Sequence, residues 1–168
     1  MEGYCVKNSC FSIFSMIISL DSKALRLLMQ QGRVSWTDLA RHLGLSAPSA
    51  AERVHRLEER GVIRGYAALI DAEAAGYPLL AFVTVVLDRP DRRAGFLKRV
   101  ATLPEIAECH HVAGEDDYLL KVRCRGTRDL DRFLVESLKS TPGVARTRTT
   151  IVLSTAKESV AVPIAEEP

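Results

Sequence analysis

Apolar residues recur at helical spacing over roughly the first third of the chain, and beyond residue 78 they fall into short blocks of strand type. Ala24, Leu25 and Leu28 form one stripe and predict a first helix from Asp21 to Gln31. Ser35 followed by Asp38 forms a capping box, so a second helix begins near Trp36 and buries Leu39, Ala40 and Leu43. Gly44 stops it, because glycine takes a left-handed backbone without a Cβ clash. Ser46 is a new N-cap with Pro48 in the first turn, and a third helix runs to about Arg60. Ala47, Ala50, Ala51, Val54 and Leu57 share its inner side, while Ser49, Glu52, Arg53 and Arg56 point outward. Two short helices around a tight turn are the sequence form of a helix-turn-helix. Val62, Ile63 and Arg64-Gly65-Tyr66 predict a short wing-like strand after it.

The second half changes period. Leu79 to Leu87, LLAFVTVVL, is a strand that is β-branched and apolar on both faces. A helix over Asp91 to Thr102, strands over Ile106 to Val112 and Tyr118 to Arg125, a helix capped by Thr127, and a strand over Val144 to Leu153 follow. Leu103-Pro104-Glu105-Ile106-Ala107 and Thr141-Pro142-Gly143-Val144-Ala145 each close a helix with proline and open a strand, a faint internal repeat. The order βαββαβ is ferredoxin-like, an antiparallel sheet with two helices on one face, so the chain is α+β. Helices leave the Leu80, Phe82 and Val86 side uncovered, which predicts a homodimer packed sheet to sheet. The competing arrangement is a monomer whose linker covers that face.

Composition narrows the class. A chain of 168 residues has room for two small domains, and its net charge of +2 is too weak for a polybasic tail or a membrane-surface role. Residues 21–66 hold eight Lys/Arg against five Asp/Glu, a modest positive bias in the helix-turn-helix. Cysteines 5, 10, 109 and 124 form no CxxC pair and no zinc spacing with the four histidines, so reduced thiols in a cytoplasm are expected, with no metal and no cofactor. His110 and His111 point to opposite strand faces and cannot share a ligand. No nucleophile triad or phosphate loop is present, so no catalytic residue is assigned.

Two places carry candidate chemistry. On the third helix, Ser46, Ser49, Arg53 and Arg56 are placed to meet phosphates and base edges of double-stranded DNA in the major groove. The plainer reading is a solvated face, since Glu52, Glu58 and Glu59 interleave with the arginines. In the loop Gly114-Glu115-Asp116-Asp117-Tyr118, glycine allows close backbone approach, clustered carboxylates suit an ammonium group, and free N–H groups suit a carboxylate. By itself the same loop is also a solvated hairpin turn or a weak cation site.

The chain resembles the Lrp/AsnC, or feast/famine, family of bacterial and archaeal regulators. The N-terminal words are Gly32-Arg33-Val34-Ser35, Asp38-Leu39-Ala40, Gly44-Leu45-Ser46, Glu52-Arg53-Val54, Arg56-Leu57-Glu58 and Gly61-Val62-Ile63-Arg64-Gly65-Tyr66. The C-terminal words, which resemble the family's RAM (regulation of amino-acid metabolism) module, are Leu103-Pro104-Glu105, Cys109, the run from Val112 to Lys121, Pro142-Gly143-Val144 and Thr147-Arg148-Thr149. The likeness spans about residues 17–158. It implies a winged helix-turn-helix domain at 17–66, a linker at 67–78, a RAM domain at 79–158 and a tail at 159–168. It implies an amino acid or related metabolite bound at Gly114, Glu115, Asp116, Asp117 and Tyr118, and homodimers able to assemble to octamers. Ile18 departs from the family's common aspartate, and Glu115 replaces another. Family chains begin shortly before their first helix, so Met16 is the expected usual start and residues 1–15 an upstream extension, with 1–16 preceding the first domain. Siroheme decarboxylases resemble the family too, and His110, His111 and Arg123 keep that alternative open, as does a metabolite sensor without DNA binding.

Overall fold

The computed structural model describes residues 19–164, so the expectations for the extension at 1–16, for Ile18 and for the last four residues lie outside the described residues. The chain divides into two compact units, one reaching Ala68 and joined by the chain from Ser159, the other Leu69–Glu158.

In the first unit, α1 spans Ser19–Gln30, α2 Trp36–Leu43 and α3 Ala47–Glu59. The caps are those the sequence predicts. Ser35 Oγ accepts from the Asp38 N–H at 3.1 Å, and Ser46 Oγ from the Ser49 N–H at 3.3 Å. Gly44 takes a φ of 68° and closes α2, with Leu45 N–H donating to Ala40 O at 2.9 Å. Ala24, Leu39, Ala40, Leu43, Ala50 and Val54 form one apolar cluster, with Leu28, Val34 and Ile63 packed against it. The expected wing-like strand at Val62–Tyr66 does not form. Val62 and Ile63 N–H both donate to Leu57 O, so they finish α3 instead of offering a ladder. Tyr66 then folds back, its hydroxyl donating to Glu58 Oε1 at 2.9 Å.

The second unit is the ferredoxin-like sheet. Strands β1 (Leu79–Leu87), β2 (Ile106–His111), β3 (Tyr118–Cys124) and β4 (Val144–Ile151) lie in the order β2-β3-β1-β4, all antiparallel. Helix α4 (Arg93–Val100) follows a short 3-10 turn, and α5 (Thr127–Arg132) runs on into a π-helical stretch at Phe133–Leu138. Thr127 does not cap α5; Asp129 Oδ2 accepts the Arg125 N–H at 3.1 Å and closes that turn. Alternation along β1 sorts its side chains as expected. Ala81, Val83 and Val85 are fully buried with Phe96, Leu120, Val122 and Leu138.

The other face departs from the expected apolar sheet. Leu80, Phe82, Val86 and Leu119 form an apolar stripe, but Lys121 and Arg123 on β3, and Arg146 and Arg148 on β4, stand beside it. Glu158, beyond β4, accepts from both Lys121 Nζ and Arg123 Nη2. Ahead of β1, within the second unit, the expected linker is not featureless. Asp71 Oδ1 accepts the Ala74 N–H at 2.8 Å, and Tyr77 N–H returns to Ala72 O at 2.7 Å, making one capped turn.

Phe96 is fully buried in this core, its ring centroid 4.8 Å from that of Tyr118. Phe96→Ala is predicted to cost about 4 kcal/mol, read as a lowered urea midpoint. A loss under about 1 kcal/mol, the ordinary size of a surface change, would contradict this packing.

Candidate functional site

The N-terminus of α3 presents two serines. Ser46 and Ser49 are exposed, and their hydroxyls share a 2.8 Å hydrogen bond beside the first free N–H groups of the helix. A helix N-terminus carries partial positive charge, so this corner attracts phosphate. In the last turn of α3, Arg56 Nε donates to Glu52 Oε1 at 3.0 Å with both side chains well exposed. An exposed pair of this kind contributes about 0–1 kcal/mol, so Arg56 is readily released to a stronger anion.

Arg53 is the exception to the outward face read from the sequence. Its guanidinium turns inward and donates from Nη1 to Asp21 Oδ1 of α1. Asp21 is only 4% exposed, and Arg53 Nε is buried without a partner. The physical reason is that a buried carboxylate on α1 needs a cation, and position 53 lies on the flank of α3 nearest to it. Arg53 therefore joins two helices of the domain. Tyr66 lies behind the same helix, its phenol pushed up to about 12 by burial and by the hydrogen bond to Glu58.

The loop between β2 and β3 is built quite differently from a bare acidic cluster. Gly114, with a φ of 153°, and Glu115 are exposed at its tip. Asp116 is largely buried and faces β4, where Arg148 Nη2 lies 2.9 Å and Arg146 Nη2 3.6 Å from its carboxylate. Asp117 is a structural anchor: its N–H donates to Val85 O at 3.0 Å, and its Oδ2 accepts the Leu87 N–H at 2.7 Å. Tyr118 sits in the core against Phe96 and His111, its hydroxyl buried without a partner. The picture of three carboxylates offered to one ammonium is thus corrected. Two of them are taken by this chain's own donors, and Glu115 is the one left open.

The remaining candidates separate as expected. His110 Nε2 lies 3.0 Å from Glu108 Oε2, while the His111 ring stacks at 5.2 Å on Tyr118. Lys121 and His110 together hold the Glu108 carboxyl below its usual range. Cys109 and Cys124 are free thiols, and burial with nearby Asp129 and Glu105 pushes Cys124 up to about 11. Among the described residues no group of three His, Cys, Asp or Glu could hold a metal ion. Sequence reasoning missed Asp21, Arg146 and Arg148; the alternation Arg146-Thr147-Arg148 opposite an acidic loop was the available signal for the last two.

A helix-turn-helix and a ferredoxin-like sheet with an anchored loop, carried on one chain, define a DNA-binding regulator that bears its own sensing domain. Residues 19–58 match the AsnC-type helix-turn-helix domain, and residues 80–162 the Lrp/AsnC ligand binding domain. The leucine-responsive regulatory protein of Haemophilus influenzae is 41% identical over 143 residues, covering 84% of this chain and 86% of that protein. The protein of the same name from Rhizobium meliloti is 38% identical over 148 residues, with 87% and 95% covered. Among solved structures, a Neisseria meningitidis transcriptional regulator in complex with L-Met superposes with a TM-score of 0.83 at 31% identity, covering 86% of this chain and 94% of that one. The feast or famine regulatory protein of M. tuberculosis complexed with L-methionine gives 0.81 at 36% identity, with 87% and 98% covered. The chain belongs to the Lrp/AsnC family of DNA-binding transcriptional regulators, and it is not an enzyme. The tetrapyrrole-decarboxylase alternative is not favoured by these relatives.

The Asp21–Arg53 pair yields a specific expectation. Asp21→Ala strands a half-buried guanidinium and is predicted to cost about 2–3 kcal/mol. The double change Asp21→Leu with Arg53→Met is predicted to recover most of that loss in chemical denaturation. An unaltered midpoint in Asp21→Ala would show that the pair does not join α1 to α3.

Proposed function

We propose that this regulator reads double-stranded DNA with the exposed face of α3, with Ser46, Ser49 and Arg56 contacting phosphates and base edges in the major groove. Arg53 contributes from the flank, by holding α3 against α1 and by reaching the backbone if the Asp21 pair opens. The supporting observation is that the N-terminal serines and Arg56 are exposed together on the helix that the fold places second in the helix-turn-helix. In this reading residues 17–66 are the DNA-binding domain, 67–78 the linker, and 79–158 the domain that senses ligand and dimerises.

The effector in this reading is an apolar amino acid or a close relative. Its ammonium group meets Glu115, its carboxylate meets backbone N–H groups released by the turn at Gly114, and Asp116, Asp117 and Tyr118 set the loop's position. Complexes with L-Met among the solved relatives support that ligand class. Homodimers form through the half-buried apolar stripe at Phe82, Val86 and Leu119, beside the already buried Leu80, bringing two α3 helices to two half-sites, and octamers would join such dimers. No helix of the described residues is long and apolar enough to cross a membrane, and we place the protein in the cytoplasm. Effector and DNA then change each other's affinity by the same factor.

Two measurements test this. Against a fragment selected from a random-sequence DNA pool, at fixed salt, Arg56→Ala is predicted to weaken binding about tenfold or more, as loss of a base or phosphate contact of about 1–3 kcal/mol requires. An unchanged affinity with an unchanged melting temperature would remove α3 from the interface. In a thermal-shift screen of the twenty amino acids, the best apolar ligand at about 100 times its Kd should add about 2.7 kcal/mol to stability. Gly114→Val, whose new Cβ meets open space but costs about 1–3 kcal/mol in backbone strain, should abolish the loop's share of that shift. A full shift retained in the variant would place the effector elsewhere.

A further inference from the structure

A cavity lies at the opposite end of β1 from the Gly114 loop. Its volume is about 360 Å³, within the range of small-molecule sites of about 300–1,000 Å³. The linker turn supplies one wall through Ile70, Ala75 and Tyr77, Pro104 another, and Glu105 and Arg125 the polar part. The turn is already formed by its Asp71 cap and the Tyr77 return bond, so this wall is in place without a ligand.

The polar groups do not balance one another. Asp129 is satisfied: Arg125 donates to it from Nε and Nη2 and from its backbone N–H, Arg132 donates too, and its carboxyl falls to about 2. Arg123 is engaged by Glu158. Glu105 has no such partner. Its backbone carbonyl accepts the Arg123 N–H at 2.8 Å, which fixes the residue at the cavity edge, yet its Oε2 is buried with no hydrogen-bond donor. A half-shielded carboxylate without a donor calls for a cation on its open side. Arg125 lines the same cavity and uses Nε and Nη2 on Asp129, which leaves Nη1 as its donor for an acceptor.

We propose that this cavity is a second binding site, for an apolar α-amino acid taken as its zwitterion. The ammonium group lies against Glu105, the carboxylate against Arg125 Nη1, and the apolar side chain between Ile70, Ala75, Tyr77 and Pro104. The site is separate from the Gly114 loop and does not depend on it. Its occupant fastens the linker turn to the sheet, and the linker is the only covalent path from the sheet to the helix-turn-helix. A ligand here therefore stiffens that path, which gives the site a regulatory consequence.

The test is isothermal titration of the full-length protein with L-leucine, L-methionine and L-phenylalanine. It compares wild type, Glu105→Gln, Ala75→Phe (which fills the cavity and keeps the carboxylate) and Gly114→Val, each checked for its native melting transition. The cavity proposal expects Gly114→Val to retain one saturable site for at least one of the three ligands. Glu105→Gln and Ala75→Phe should each lose one site of the wild type's number, or weaken it at least tenfold. Leucinamide, lacking the carboxylate, and 4-methylpentanoate, lacking the ammonium group, should bind that retained site at least tenfold more weakly than leucine. Binding that disappears in Gly114→Val and is untouched by the two cavity variants would overturn this site while supporting the loop. Binding lost in the cavity variants alone would support this site and remove the loop. Absence of any binding to the wild type would overturn both.

Discussion

The central strand β1 is the constraint on which the sensing domain depends. Its odd-numbered residues Ala81, Val83 and Val85 are excluded from solvent beneath the helices, so its register cannot slip by one residue without turning that core outward. With β1 fixed, β3 pairs along one side and β4 along the other. Its C-terminal end holds Asp117 by two hydrogen bonds and so holds the loop proposed to bind effector. Its N-terminal end receives the linker turn and the cavity beside Glu105. One strand thus positions both ligand candidates at its two ends.

In the helix-turn-helix the corresponding constraint is a charge. Asp21 is buried on α1 and draws Arg53 away from the exposed face of α3. What stays exposed is a narrower set: the two serines at the N-terminus of α3, where backbone N–H groups and the helix dipole favour anions, and Arg56 in its last turn. A small exposed set suits the proposed dimer, which would gain affinity by presenting two copies to two half-sites. Each copy then contributes modestly, and spacing between copies becomes the adjustable quantity.

The three helices were legible because their signals are local. Ser35, Gly44 and Ser46 act within four residues of themselves, and all three do in the structure what their chemistry predicts. The βαββαβ order was equally legible from period and proline placement. Long-range pairing was not. Asp21 and Arg53 are 32 residues apart, as are Asp116 and Arg148, and no local pattern marks either pair. The loop's carboxylates therefore read as free when two are already engaged. The wing at Val62–Tyr66 failed for a related reason. A strand needs a partner, and strand-like residues without one were used instead to close α3. Thr127 caps nothing because the helix begins at Thr127 itself, with Gly126 as its N-cap, while Asp129 closes the preceding turn through the Arg125 N–H.

The central claim is that α3 enters the major groove of operator DNA as one of a pair. Dimethyl sulfate footprinting on a selected operator tests it directly, because the reagent marks guanine N7 in the major groove and adenine N3 in the minor groove. Protection of guanine N7 in two patches about 10 base pairs, or a multiple of that, apart is the predicted result. Protection confined to adenine N3, or a single unpaired patch, would contradict it.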